Sequence, residues 1–196
     1  MAISKEVYSQ LQEQFWDVAS WTIWIPPRYG TKDNMGDLSV FDSPDLLDKL
    51  NTNYMFVGLC GSGVHDAYVD KSKPWWNFHS SYPKGNDYRL RDATVGTPAE
   101  GSYITDFIKY HDELDGDVAV RYIESNPEAL KKVLSAIMKE IELLGGNPII
   151  FALGARCYNL VKKYLPKRLR VIKVPHYSGP VNAEMMKAKI LSGIGC

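Results

Sequence analysis

The sequence predicts an α/β domain: a three-layer α/β/α sandwich around a four-stranded parallel sheet, with the strands in the order second, first, third, fourth. Two observations predict it. Four short apolar runs, at residues 54–57, 102–108, 148–153 and 170–174, lack polar/apolar alternation, as strands buried on both faces do. Segments with helical periodicity separate most of them, and alternating strands and helices imply parallel units with helices on both faces. Right-handed crossovers then bring the four carboxyl ends to one edge.

Taken in order, Ser4 caps a helix that places Val7, Leu11, Phe15 and Val18 on one face. Residues 21–25 are extended and stop at Pro26-Pro27, and residues 28–42 are loop-like. Ser43-Pro44 starts a short helix carrying Leu46, Leu47 and Leu50. The first strand of the sheet breaks into Gly58-Leu59-Cys60-Gly61-Ser62, where glycines allow a sharp turn and close backbone approach. Residues 64–101 are mostly irregular and contain PWWNFH; loops of this length are usually functional or mobile. After the second strand, Asn126-Pro127 opens a helix in which Leu130, Val133, Leu134, Ile137, Met138, Ile141 and Leu144 recur at the helical period, and Gly145-Gly146 ends it. The third strand turns at Gly154 into a helix stopped by Pro166. The fourth ends at Pro175-His176-Tyr177-Ser178-Gly179, before a closing helix over 180–190.

The 196 residues fit one domain, spanning 1–196. No apolar run approaches the roughly 18 residues a membrane helix needs, so no membrane partner is expected. The first residues lack the basic start and apolar block of a secretory signal. The three cysteines, Cys60, Cys157 and Cys196, form neither a disulfide framework nor a CxxC pattern. A cytoplasmic location is the simplest expectation. Lysine plus arginine and aspartate plus glutamate each number 23, which argues against broad nucleic-acid affinity but not against a local basic face. Residues 162–170 are basic, yet they belong to the edge opposite the strands' carboxyl ends and read as a solvated face.

The segments VGLCGS, PWWNFH, YITDF, FALGA and VPHYSG, in this order, resemble the motifs of the uracil-DNA glycosylase superfamily. The resemblance covers residue 54 to about 181 and implies a uracil-DNA glycosylase-like fold. In that family a residue of the first motif positions or activates the attacking water; Cys60 holds its place here. Cysteine is no equivalent of a carboxylate or an amide, so Asp66 or His65 is the expected substitute. Phe78 or Trp76 takes the place of the aromatic that stacks on the base, and Asp106 that of the residue reading the base edge. Asp106 suits an edge that presents donors better than the two carbonyls of uracil. His176 matches the histidine that meets the base oxygen as charge develops there, and Ser178 and Arg156 are placed to meet phosphate. Gly58, Leu59, Gly61 and Ser62 complete the expected binding segment. No large apolar wedge follows His176.

What the resemblance implies is a hydrolase of the glycosidase type acting in DNA repair. It would be a DNA-binding protein that cleaves the N-glycosidic bond of a damaged or modified base, needing no metal or cofactor, with weak or lost activity on plain uracil. Two other readings stay open. The same pocket could bind a free base, nucleotide or nucleic-acid end without cleaving it. Alternatively, Cys60 could act as a nucleophile with His176 as its base, which requires the two within hydrogen-bond reach.

Overall fold

The computed structural model describes residues 3–63 and 66–195. Its centre is a sheet in which β2 (Asn51–Cys60), β3 (Ser102–Ile108), β4 (Ile149–Leu153) and β5 (Val171–Val174) run parallel, in the order β3-β2-β4-β5. The sheet has five strands rather than the four expected. β1 (Ala19–Trp21) pairs antiparallel with β3 at the edge, with Ser20 opposite Ile104. β1 begins two residues before the extended segment expected at 21–25, and it belongs to the sheet. All three residues of β1 are buried, so the strand lacks the alternation that marks a one-sided edge strand.

Helices cover both faces. Side chains alternate along each strand, so Met55 and Val57 face one core and Phe56 the other. The first core is closed by α1 (Lys5–Phe15), α4 (Gly116–Ser125), α5 (Pro127–Leu143) and α6 (Ala155–Tyr164). The second is closed by α3 (Asp87–Thr94) and α7 (Ala183–Ile194) through Leu90, Ala93, Met186 and Ile190. The short α2 (Leu46–Lys49) precedes β2. The caps explain several boundaries: Ser4 accepts from the Val7 amide and Asn126 from Ala129, satisfying amides that have no partner within the helix. No helix among the described residues is long and apolar enough to cross a membrane.

The irregular stretch expected over 64–101 contains α3. This helix buries Asp87, Arg91 and Thr94 alongside Leu90 and Ala93. A helix with so polar a buried face has no apolar period to read. Arg91 explains part of it: its guanidinium donates to the carbonyls of Thr31 and Asp33, which fastens the loop between β1 and α2 onto α3.

Candidate functional site

The carboxyl ends of β2, β3 and β5 open into one cleft of about 390 Å³, within the size range of small-ligand sites. Each strand end delivers a different kind of group.

From β3 comes Asp106, 7 % exposed. It pairs in register with Gly58 of β2, and alternation points it to the same face as Ile104. A Cβ at Gly58 would collide with Asp106 Oδ1, so glycine there makes room for the carboxyl. Burial, opposed by the Lys109 ammonium and the Asn77 side chain, pushes Asp106 up to about 7. One residue beyond the strand, Lys109 is itself buried. Its ammonium donates to Thr105 Oγ1 at 2.6 Å and to the Asp106 carbonyl at 2.8 Å, and meets Glu140 Oε2 at 3.0 Å. Glu140 is fully buried on α5 and accepts from the Tyr103 hydroxyl at 2.9 Å. A cation is thus locked at the cleft wall by partners on two elements.

From β2 come Cys60, Gly61, Ser62 and Gly63. Asp112, in the loop after β3, lies against Gly61, where a Cβ would collide with its Oδ1. Glu113 ties the two loops together, its amide donating to the Gly61 carbonyl at 2.9 Å. The Cys60 thiol points to the Glu113 carbonyl, with 3.5 Å between sulfur and oxygen. Burial and the neighbouring charges of Asp106, Asp112 and Glu113 push that thiol up to about 12, so it is protonated at neutral pH and a poor nucleophile.

From β5 comes His176. The Ser178 amide donates to its Nδ1 at 3.2 Å, and the Ser178 hydroxyl lies 2.7 Å from the same nitrogen. An accepting Nδ1 leaves the proton on Nε2. Burial holds the imidazole down to about 4, so His176 is a neutral donor at pH 7. Tyr177 stacks on it at 4.4 Å between ring centroids. The turn is fastened to α3 by Arg89, whose Nη1 donates to the carbonyls of Tyr177 and Gly179.

The aromatic wall is PWWNFH. Trp75 is fully buried and donates from its indole to the Tyr8 hydroxyl at 2.7 Å. Asn77 holds the Val18 carbonyl with its amide and accepts from the Phe78 amide. Between these anchors Trp75 and Phe78 adopt φ of 66° and 64°, a left-handed conformation that costs a non-glycine residue on the order of 1 kcal/mol or more and clusters at functional sites. Trp76 and Phe78 both line the cleft, Trp76 beneath the Lys71 ammonium at 5.1 Å. His79 turns away, packed fully buried between Trp24 and Phe41.

The cleft therefore gathers Cys60, Gly61, Ser62, Trp76, Phe78, Asp106, His176 and Ser178. Other expectations are corrected. Gly58 lies beneath Asp106 and contributes space rather than a contact. Leu59 packs into the first core. Arg156 is not among the residues lining the cleft: it forms a two-pronged ion pair with Asp117 at 2.5 and 2.6 Å, in the first turn of α4, a helix not expected from the sequence. His65 lies outside the described residues, and of Asp66 only the backbone, in the turn Asp66–Tyr68, is described.

Tyr177, within the expected segment 176–179, also lines the cleft, as do Asp87, Lys109 and Asp112, which the sequence did not point to. Lys109 had one legible signal, its place directly after an apolar strand. Asp87 had none, since its helix carries no apolar period. Asp87 is 8 % exposed, and burial followed by the charge of Asp106 pushes it up to about 7. No protein-family model, no curated protein and no solved structure matches the chain.

Proposed function

We propose that the cleft binds a heterocyclic base and that the protein hydrolyses the N-glycosidic bond holding a damaged or modified base in DNA, acting weakly or not at all on plain uracil. In this reading the sheet is that of the uracil-DNA glycosylase superfamily with an antiparallel strand added beside β3. The observation that carries the reading is His176, whose Nδ1 accepts from the Ser178 amide and so leaves Nε2 to donate, lining the same cavity as an aromatic face and a buried carboxyl. A neutral donor stabilises negative charge developing on a departing base, and a positioned donor of this kind contributes about 10²–10³-fold in rate.

Phe78 or Trp76 stacks on the base, and Asp106 meets its edge. As the C–N bond breaks, its electron pair leaves with the base, water oxygen bonds to the sugar carbon, and a carboxylate accepts the water proton. Among the described residues Asp112 is placed for that last task, since it lies against Gly61, beside the Cys60 position that the resemblance assigns to the water. Lys71 and Lys84 bring positive charge to the same cavity, suited to a backbone phosphate. Cys60 is not assigned as a nucleophile, since burial, with the neighbouring acidic charges, holds the thiol protonated. The same Cys60 favours a second reading, in which the site binds a base without cleaving it.

The test is a panel of modified bases in single- and double-stranded oligonucleotides, scored for base release and for binding. Release of a modified base that is lost in His176→Ala supports hydrolysis. Binding without release supports the second reading. Neither binding nor release across the panel overturns both.

A further inference from the structure

Asp106 and Asp87, each nine-tenths buried, line the cavity from two separate elements, β3 and α3. Among the described residues no hydrogen bond or ion pair closes on the Asp87 carboxyl. The charges acting on the two are Lys109, Asp112, Glu140 and, on Asp87, Asp106 itself. Lys109 is the only cation among them, and its ammonium is already committed to Glu140, Thr105 and a carbonyl. Lys71, held over Trp76, and Lys84 also line the cavity.

Apart from the Asn77 side chain on Asp106, what these two groups present to a ligand is acceptors. Two buried carboxyls accept hydrogen bonds, and each must take up a proton before it can donate one. A heterocycle with an oxo edge offers a single N–H beside one or two carbonyl oxygens, so it can donate to only one of the two carboxylates and the other acid has to be protonated to meet a carbonyl. An amino edge brings two N–H groups, and its ring nitrogen shares one proton with a carboxyl wherever that proton resides. A ring cation goes further and neutralises the second charge.

We propose that the cavity selects heterocycles bearing an exocyclic amino group or a ring cation over their oxo counterparts, with Asp106 and Asp87 as the paired acceptors that read this edge. The proposal rests on the base-binding reading and names its substrate class. Asp87 is then a specificity residue that meets the ligand directly.

The experiment compares the free bases cytosine with uracil, and adenine with hypoxanthine, by calorimetric titration of the unaltered protein at pH 8. Hydrogen bonds to a charged acceptor predict that the amino member of any pair that binds does so about 10- to 100-fold more tightly. Asp87→Asn and Asp106→Asn, checked for a native melting transition, should each reduce that ratio, and Phe78→Ala should weaken both members of a pair alike. Equal or tighter binding of the oxo member overturns the proposal while leaving the base pocket standing, provided that Phe78→Ala still weakens it. No binding of any base at millimolar concentration overturns the proposal and the base-binding reading together.

Discussion

Replacing Asp87 with Asn isolates the cost of keeping a carboxyl on the cavity wall. The group has no hydrogen-bond partner among the described residues, and burial raises it from 3.8 to about 7. The sign follows from proton counts. Above pH 3.8 the unfolded chain releases the Asp87 proton while the folded protein retains it up to about pH 7, so stability falls as pH rises through that window. Each unit of difference is worth about 1.4 kcal/mol. Between pH 5 and pH 7 the full effect is therefore about 3 kcal/mol; water in the open cleft reduces it to ~1–3 kcal/mol. His176 and His79, pushed down to about 4 and about 3, act in the opposite sense: stability from their neutral forms is lost as pH falls below about 6.5. Both histidines are common to the two proteins and cancel in the difference. Urea unfolding at pH 5 and pH 8 should show Asp87→Asn gaining ~1–3 kcal/mol on the unaltered protein at the higher pH. A difference that is the same at both pH values refutes the assignment of a raised carboxyl.

Three further outcomes follow from contacts in and under the cleft. Lys109→Met leaves Glu140 buried and uncompensated and should cost about 3–5 kcal/mol in urea unfolding, while Lys109→Met with Glu140→Leu should recover much of the loss. Cys60 should react with iodoacetamide at pH 7 far more slowly than free cysteine, as mass spectrometry of the labelled protein would show. Gly58→Ala forces Asp106 out of its place; it should cost about 1–3 kcal/mol in thermal unfolding and weaken ligand binding as well.

The parallel sheet was legible because its strands are buried on both faces. Met55-Phe56-Val57 and Ile150-Phe151-Ala152 are apolar without a break and fully buried. The meeting of Cys60, Asp106 and His176 followed from topology, since parallel strands with right-handed crossovers must end on one side. What stayed hidden was held by polar contacts. β1 is three residues long, and its place in the sheet depends on pairing with residues more than eighty positions away. α3 buries Asp87 and Arg91, and its stability comes from loop carbonyls that no local pattern announces. α4 has an apolar face and an N-cap at Asp115, but the acidic residues before it read as loop. Missing α4 also misplaced Arg156, whose partner Asp117 lies in its first turn. The carboxyl pair followed the same course: Asp106 was visible on its strand, whereas its companion Asp87 became visible only once α3 was folded against the sheet.

The measurement that bears most directly on the central claim is base release from oligonucleotides carrying modified bases, quantified by chromatography for the unaltered protein and for His176→Ala. The account predicts release of a modified base by the unaltered protein, weak or absent release of uracil, and a loss of about 10²–10³-fold in His176→Ala with binding largely retained. Robust uracil release that persists unchanged in His176→Ala would contradict it.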